Sequence, residues 1–349
     1  MTAMNSENHL SNTAAQSSPT AETVSNEDLL DLSHCILCPR SCGADRTAGK
    51  TGFCGEAALP RASRAALLYY EEPCISGSRG SGAVFFNGCS LGCVFCQNYD
   101  ISLGMRARQK GFPVTAEDLS RIFLQLQEKG ANNINLVTAG HFLPALIPAL
   151  REAKENGLRI PIVYNSSGYE RAQALRLLDG LVDIYLPDCK YMDTDIAARY
   201  SHAPDYPETA LAAIDEMVRQ CPEPVFADGS HSLDEENDAD DPLMTSGVIV
   251  RHLVLPGHTE DSKKVIRALH ERYGERIFIS IMNQYTPMPQ CAGDPLLSRK
   301  VTKKEYDEVV DFAISIGVEN GFIQDGDTVS KSFIPAFDGT GILDAPGEE

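Results

Sequence analysis

Three cysteines fall within eight residues in Cys89-Ser-Leu-Gly-Cys93-Val-Phe-Cys96. They follow a short apolar run and Asn87-Gly88, on a loop that carries Gly92. Three thiolates so spaced can converge on one metal centre. A structural zinc site is closed by four protein ligands, so zinc would need a distant Cys or His as well. A four-iron cluster with one iron free of cysteine satisfies the three-thiolate count directly.

A second set precedes it: Cys35, Cys38 and Cys42 around Pro39-Arg40, then Cys54 in Gly-Lys-Thr-Gly-Phe-Cys-Gly. Four thiols at these gaps suit a four-thiolate site, with zinc or an iron–sulfur cluster equally compatible. The role is either structural or electron relay. Cys74, Cys189, Cys221 and Cys291 are scattered and are expected in the core, where free cysteine behaves as a small apolar side chain. Cys189 stands apart from these because it ends a predicted strand. His141, His202, His252 and His258 are expected to be hydrogen-bonding structural residues.

The chain around these sets has 349 residues, 43% hydrophobic, which is enough for a large core. The net charge is −19. Residues 1–34 hold five acids, residues 228–241 hold seven, and neither stretch has a Lys or Arg. A non-specific nucleic-acid binder would carry the opposite sign. No apolar run reaches the roughly 20 residues that cross a bilayer, and the first residues lack the pattern of a secretory signal. A cytoplasmic protein with reduced thiols is therefore expected.

Four segments follow from composition. Residues 1–33 read as a disordered tail and 34–75 as a Cys-rich segment. Residues 76–325 read as the core, with an acidic loop at 228–246, and 326–349 as a C-terminal tail. In the core, apolar runs alternate with amphipathic segments. Strands are predicted at 83–87, 133–138, 161–165, 181–186, 247–255 and 277–282. Helices are predicted at 115–129, 142–156, 259–273 and 302–316. Leu119, Ile122, Phe123 and Leu126 fall on one helical face, behind a Thr115/Asp118 capping box. Runs such as Ala83–Phe86 lack polar alternation, as in parallel strands buried on both faces. The fold class is α/β, with a (β/α) barrel closed or partly closed and its chemistry at the strand C-terminal ends.

With Phe95 before its last cysteine, the Cys89/Cys93/Cys96 loop resembles the signature of radical S-adenosylmethionine (SAM) enzymes. Longer strings extend the likeness to the PflX-like subgroup, which is similar to the activating enzyme of pyruvate formate-lyase. They include residues 35–54, Cys96-Gln-Asn, Val163-Tyr-Asn-Ser-Ser-Gly-Tyr, residues 183–193, residues 251–257 and Met282-Asn-Gln-Tyr-Thr-Pro. The resemblance spans roughly residues 34–325. It implies a partial (β/α)6-type barrel with a short Cys-rich N-terminal extension. It also implies a [4Fe-4S] cluster on Cys89, Cys93 and Cys96, and SAM chelated to the fourth iron. One-electron cleavage of SAM then yields methionine and a 5′-deoxyadenosyl radical that abstracts hydrogen.

By the same resemblance, Phe95, Thr138, Gly140, Asn165, Ser166, Asp188, Lys190 and Arg251 surround SAM. Residues 138–141 depart from the family by lacking its Glu at this strand end. Arg251 reads either as a SAM contact or as a buried ion pair. Asn283, Gln284 and Tyr285 are candidate polar contacts at the last strand end. The implied partners are SAM, a glycyl-radical enzyme as protein substrate, and an electron donor such as flavodoxin or ferredoxin, with neither membrane nor nucleic acid. A radical SAM enzyme acting on another small or large molecule is the first alternative. A non-catalytic zinc or iron–sulfur protein is the second.

Overall fold

The computed structural model describes residues 24–102, 110–230, 242–324 and 335–342. The acidic run 231–241, the first 23 residues and parts of the C-terminal segment lie outside the described residues. Ten strands form one sheet: β1 (Arg61–Leu68), β2 (Ser81–Phe86), β3 (Phe112–Pro113), β4 (Ile134–Val137), β5 (Ile162–Ser166), β6 (Ile184–Pro187), β7 (Val225–Phe226), β8 (Met244–Leu253), β9 (Phe278–Met282) and β10 (Gly321–Ile323). The order is β10-β9-β8-β6-β5-β4-β2-β1-β3, with β7 paired to β8. From β2 to β10 each neighbour on this path is parallel, whereas β1 runs antiparallel to both β2 and β3. The expected six-strand (β/α) core is present as β2, β4, β5, β6, β8 and β9, with β10 added at one edge.

The parallel strands are buried on both faces, which is why their sequences show no alternation. Helices Ala116–Glu128, Leu143–Glu155, Thr194–Ser201, Tyr206–Gln220, Thr259–Tyr273 and Lys303–Ser315 cover the outside. Thr115 and Asp118 form the expected capping box, burying Leu119, Ile122, Phe123 and Leu126. Pro148 sits inside helix Leu143–Glu155. The buried face of Leu143, Leu146, Ile147 and Leu150 holds that helix, since packing outweighs propensity.

Three boundaries move. The segment before residue 34 is not all tail, because Ser25 caps helix Asn26–Leu30 and Leu29 and Leu32 are buried. The predicted strand at 247 starts three residues earlier, at Met244. Residues 335–342 are not a free tail either. They run along β1, with Gly339 N–H donating to Ser63 O (2.9 Å) and Ala65 N–H to Thr340 O (2.8 Å). Phe337 there packs edge-on against Phe85, with ring centroids 5.5 Å apart. No helix of the described residues is long and apolar enough to cross a membrane.

Candidate radical chemistry site

Strand β2 ends at Phe86, and Gly88 (φ 81°) turns the chain into the cysteine loop. Only glycine fits there. A Cβ would stand 2.5 Å from Glu56 Cγ and 2.7 Å from Cys54 O. Cys89, Cys93 and Cys96 then line one cavity of about 220 Å³ with Phe95, Thr138, Asn165, Ser166, Asp188, Lys190 and Arg251. Seven of the eight residues implied to surround SAM thus share a cavity with the three thiols. Parallel register explains the gathering. Asn165 pairs with Val137 and Leu186, and Asp188 bridges to Arg251.

Gly140 is the exception. It is not among the residues lining that cavity. A Cβ on it would lie 2.4 Å from a Glu170 carboxyl oxygen and 2.7 Å from the Tyr164 hydroxyl. The expectation that Gly140 touches the cofactor is corrected to a packing position behind the strand end. Of Asn283, Gln284 and Tyr285, only Gln284 lines the cavity. The Asn283 N–H is bound to the Gln324 side chain, and the Tyr285 hydroxyl donates to Leu297 O at 2.6 Å.

A chain of alternating charge runs through the cavity wall. Lys190 Nζ stands 2.6 Å from Asp188 Oδ2, and Arg251 Nε stands 3.1 Å from Asp188 Oδ1. Arg251 Nη1 reaches Glu71 Oε2 at 3.1 Å, and Nη2 donates to Asn165 Oδ1 at 2.6 Å. Arg251 is thus a buried ion pair, the second of its two readings, at the cavity wall. Burial would raise the Asp188 carboxyl, but Lys190 and Arg251 outweigh it and hold Asp188 below the usual carboxylate range. Burial pushes Glu71 up, and Arg251 opposes it.

Glu71 was not foreseen from sequence. The hairpin pairing Leu68↔Ser81 places residues 69–80 at the N-terminal end of the parallel strands. Glu71 enters the barrel interior from that end and accepts from Asn135 Nδ2 at 3.1 Å. The only signal was an acid pair, Glu71-Glu72, after an apolar run. Helix and strand periodicity say nothing about such a connection.

Burial raises all three thiols, Cys96 to about 12. Metal binding would deprotonate them. Donors are in place for sulfur: Leu91 N–H lies 3.3 Å from Cys89 Sγ, and Ser201 Oγ–H lies 3.0 Å from Cys93 Sγ. Among the described residues, no three His, Cys, Asp or Glu side chains converge on a single ion. Thiols spread around one cavity suit a multi-iron cluster better than zinc, so the site fits the expected group.

Residues 83–246, which contain the loop and most of the cavity wall, match the model of the radical SAM superfamily. The match covers just under half of the chain.

The chain is 27% identical over 236 residues to an uncharacterized protein of Methanocaldococcus jannaschii, a match covering 67% of this chain and 62% of that protein. Streptococcus suis SuiB bound to S-adenosylmethionine aligns over 68% of this chain and 48% of its own, with 11% identity and a TM-score of 0.42. Methylornithine synthase (PylB) aligns over 83% and 69%, with 13% identity and a TM-score of 0.43. The chain thus spans about half of SuiB and under two thirds of the archaeal relative.

Three of the four histidines make ring hydrogen bonds, whereas His202 is exposed and offers only its backbone carbonyl. His141 is 3% exposed with its ring 2.7 Å from Asn87 O, and burial lowers it to about 3. His252 Nδ1 lies 2.8 Å from Cys189 O. His258 meets the Tyr200 hydroxyl, and the His202 carbonyl accepts from Arg40. Cys74, Cys189, Cys221 and Cys291 are all buried.

Proposed function

We propose that the protein is a radical SAM enzyme of the activating type, which abstracts hydrogen from a glycine of a partner protein. The observation that carries the radical chemistry is one cavity shared by three thiols and the polar set Asn165, Ser166, Asp188, Lys190 and Arg251. When bound, the cluster and SAM together supply a one-electron cleavage whose product abstracts hydrogen.

The chain's own residues do the rest. Cys89, Cys93 and Cys96 would hold the cluster. Lys190 and Arg251 offer cations for a carboxylate, and Asp188 balances them and fixes their directions. Phe95 gives an apolar face, held by Tyr191 and Tyr285 with ring centroids 6.4 and 6.2 Å away. Burial of this wall excludes water that would quench a reactive intermediate.

What supports a macromolecular substrate is a second cavity, of about 470 Å³, which shares Gln97 and Pro335 with the first. Asp100 and Lys110 line it as an ion pair, 3.2 Å apart. The test is 5′-deoxyadenosine formation by anaerobically reconstituted protein with SAM and a strong one-electron reductant. A glycyl-radical enzyme is then added. Product that rises with the partner and yields a protein radical supports the activating type. Product formed without any response to the partner directs the search to another substrate. No product from a loaded cluster, with partner present, overturns the reading.

A further inference from the structure

We propose that Cys35, Cys38, Cys42 and Cys54 hold a second iron–sulfur cluster, through which an electron reaches the cluster on Cys89, Cys93 and Cys96. The destination of that electron rests on the reading above. The second cluster itself rests on separate observations.

The four cysteines are free thiols gathered in one small lobe. Cys42 Sγ lies 3.9 Å from Cys35 O, which also accepts Gly43 N–H at 3.0 Å, and a Cβ on Gly52, two residues before Cys54, would stand 2.2 Å from Cys42 Sγ. The backbone is shaped around them. Ser41 (φ 42°), Gly43 (φ 61°) and Gly55 (φ 82°) turn it sharply beside the sulfurs.

Charge supplies the second observation. Arg46 is 1% exposed. Its guanidinium donates to the carbonyls of Glu56, His141 and Ala57 and lies 3.7 Å from Cys35 Sγ. Among the described residues, no carboxylate pairs with it. A buried cation with only neutral partners is costly. Four metal-bound thiolates carry the missing negative charge.

Among the described residues, neither these four thiols nor the Cys89/Cys93/Cys96 set closes on a single ion as tetrahedral zinc requires. Four thiolates are also the ligand set of a four-iron cluster.

Position gives the direction of transfer. Cys42 is exposed, whereas Cys89 is buried. Cys54 O packs directly against Gly88, the residue before Cys89. Arg40, between Cys38 and Cys42 in sequence, donates to Ser90 O (2.9 Å) and Leu91 O (3.0 Å) of the other loop. A ferredoxin- or flavodoxin-class protein donates one electron to the outer cluster, which passes it to the inner one. The donor is oxidised, the inner cluster is reduced, and no bond or proton changes place.

The experiment uses the full chain reconstituted anaerobically with iron and sulfide. It compares wild type, a triple variant (Cys89→Ser, Cys93→Ser, Cys96→Ser) and a double variant (Cys38→Ala, Cys42→Ala). Iron, sulfide and zinc are counted per chain, with electron paramagnetic resonance after reduction. About eight irons in wild type and about four in the triple variant are expected. No iron in the triple variant, or one zinc in its place, overturns the second cluster. That count holds whether or not SAM is cleaved, so the two readings fail separately. A reduced ferredoxin must also reduce the cluster left in the triple variant. In the double variant it should reduce the inner cluster at least ten-fold more slowly than in wild type. Failure of the first, or equal rates in the second, overturns the relay.

Discussion

Replacing Glu170 by Gln should change the pH dependence of stability more than stability itself. Glu170 is 7% exposed behind the end of β5, beside Ser166 and Tyr164. Burial raises its carboxyl from 4.5 to about 7. Because the folded value is the higher one, the folded chain binds the extra proton. Stability therefore falls as pH rises from the ordinary carboxylate range through about 7. At about 1.4 kcal/mol per unit, the full loss is about 3 kcal/mol. Gln is neutral throughout and has no such loss. His141 and His252, lowered by burial to about 3 and about 4, act in the opposite sense. They are protonated in the unfolded chain below about 6.5 and neutral when folded, so they add stability as pH rises from their folded values toward 6.5. These contributions, and any constant offset from the amide, cancel in the difference between the two proteins. Urea unfolding of metal-free, reduced chains at about pH 5 and about pH 8.5 reads that difference. The Gln variant should gain about 3 kcal/mol relative to wild type between the two. Parallel stability curves, within about 0.5 kcal/mol, would refute the assignment of a buried, ionising Glu170.

Four further substitutions test the same geometry. Cys93→Ala should abolish 5′-deoxyadenosine formation while leaving the fold intact by circular dichroism; cleavage at the wild-type rate would remove this loop from the chemistry. Arg251→Met strands the buried carboxylates of Glu71 and Asp188, so urea unfolding should show a loss of about 3–5 kcal/mol near neutral pH. Conservative Arg251→Lys should restore part of that stability but little SAM affinity, measured by calorimetry, because a single ammonium cannot span Glu71, Asp188 and Asn165. Gly341→Ala should lower the thermal midpoint, at a cost of about 1–3 kcal/mol. Its φ is +71°, and a Cβ would stand 2.0 Å from Ala65 O, backbone that cannot yield.

The strands and helices that could be read from sequence are those whose pattern is local. Helix Thr259–Tyr273 agrees at both ends, and helix Lys303–Ser315 lies one residue inside its predicted bounds at each end, with Thr302 as its cap. The cysteine loop and the polar strand ends were readable because parallel strands put their chemistry at one rim. What stayed hidden depends on long-range pairing. Strand β1 lies within the Cys-rich segment and finds its place only by pairing with β2. Glu71 reaches Arg251 across 180 residues. Gly140 sits at a strand end by sequence, yet faces Glu170 because the chain turns into a helix there. Arg46 is one of many arginines in the sequence, and only the fold shows that its partners are neutral.

The strip of chain at 335–342 gives β1 its last neighbour, tying Arg64 to Ala336 and Asp338 across more than 270 residues. During synthesis, both cysteine sets emerge in the first hundred residues, long before this clasp exists. Until it arrives, β1 beyond the two residues paired with β3 shows an open edge, the kind of surface on which nascent chains stick to one another. Clipping the C-terminal strip in a cell would therefore show itself first as inclusion bodies, before any change in the chemistry of the molecules that do fold.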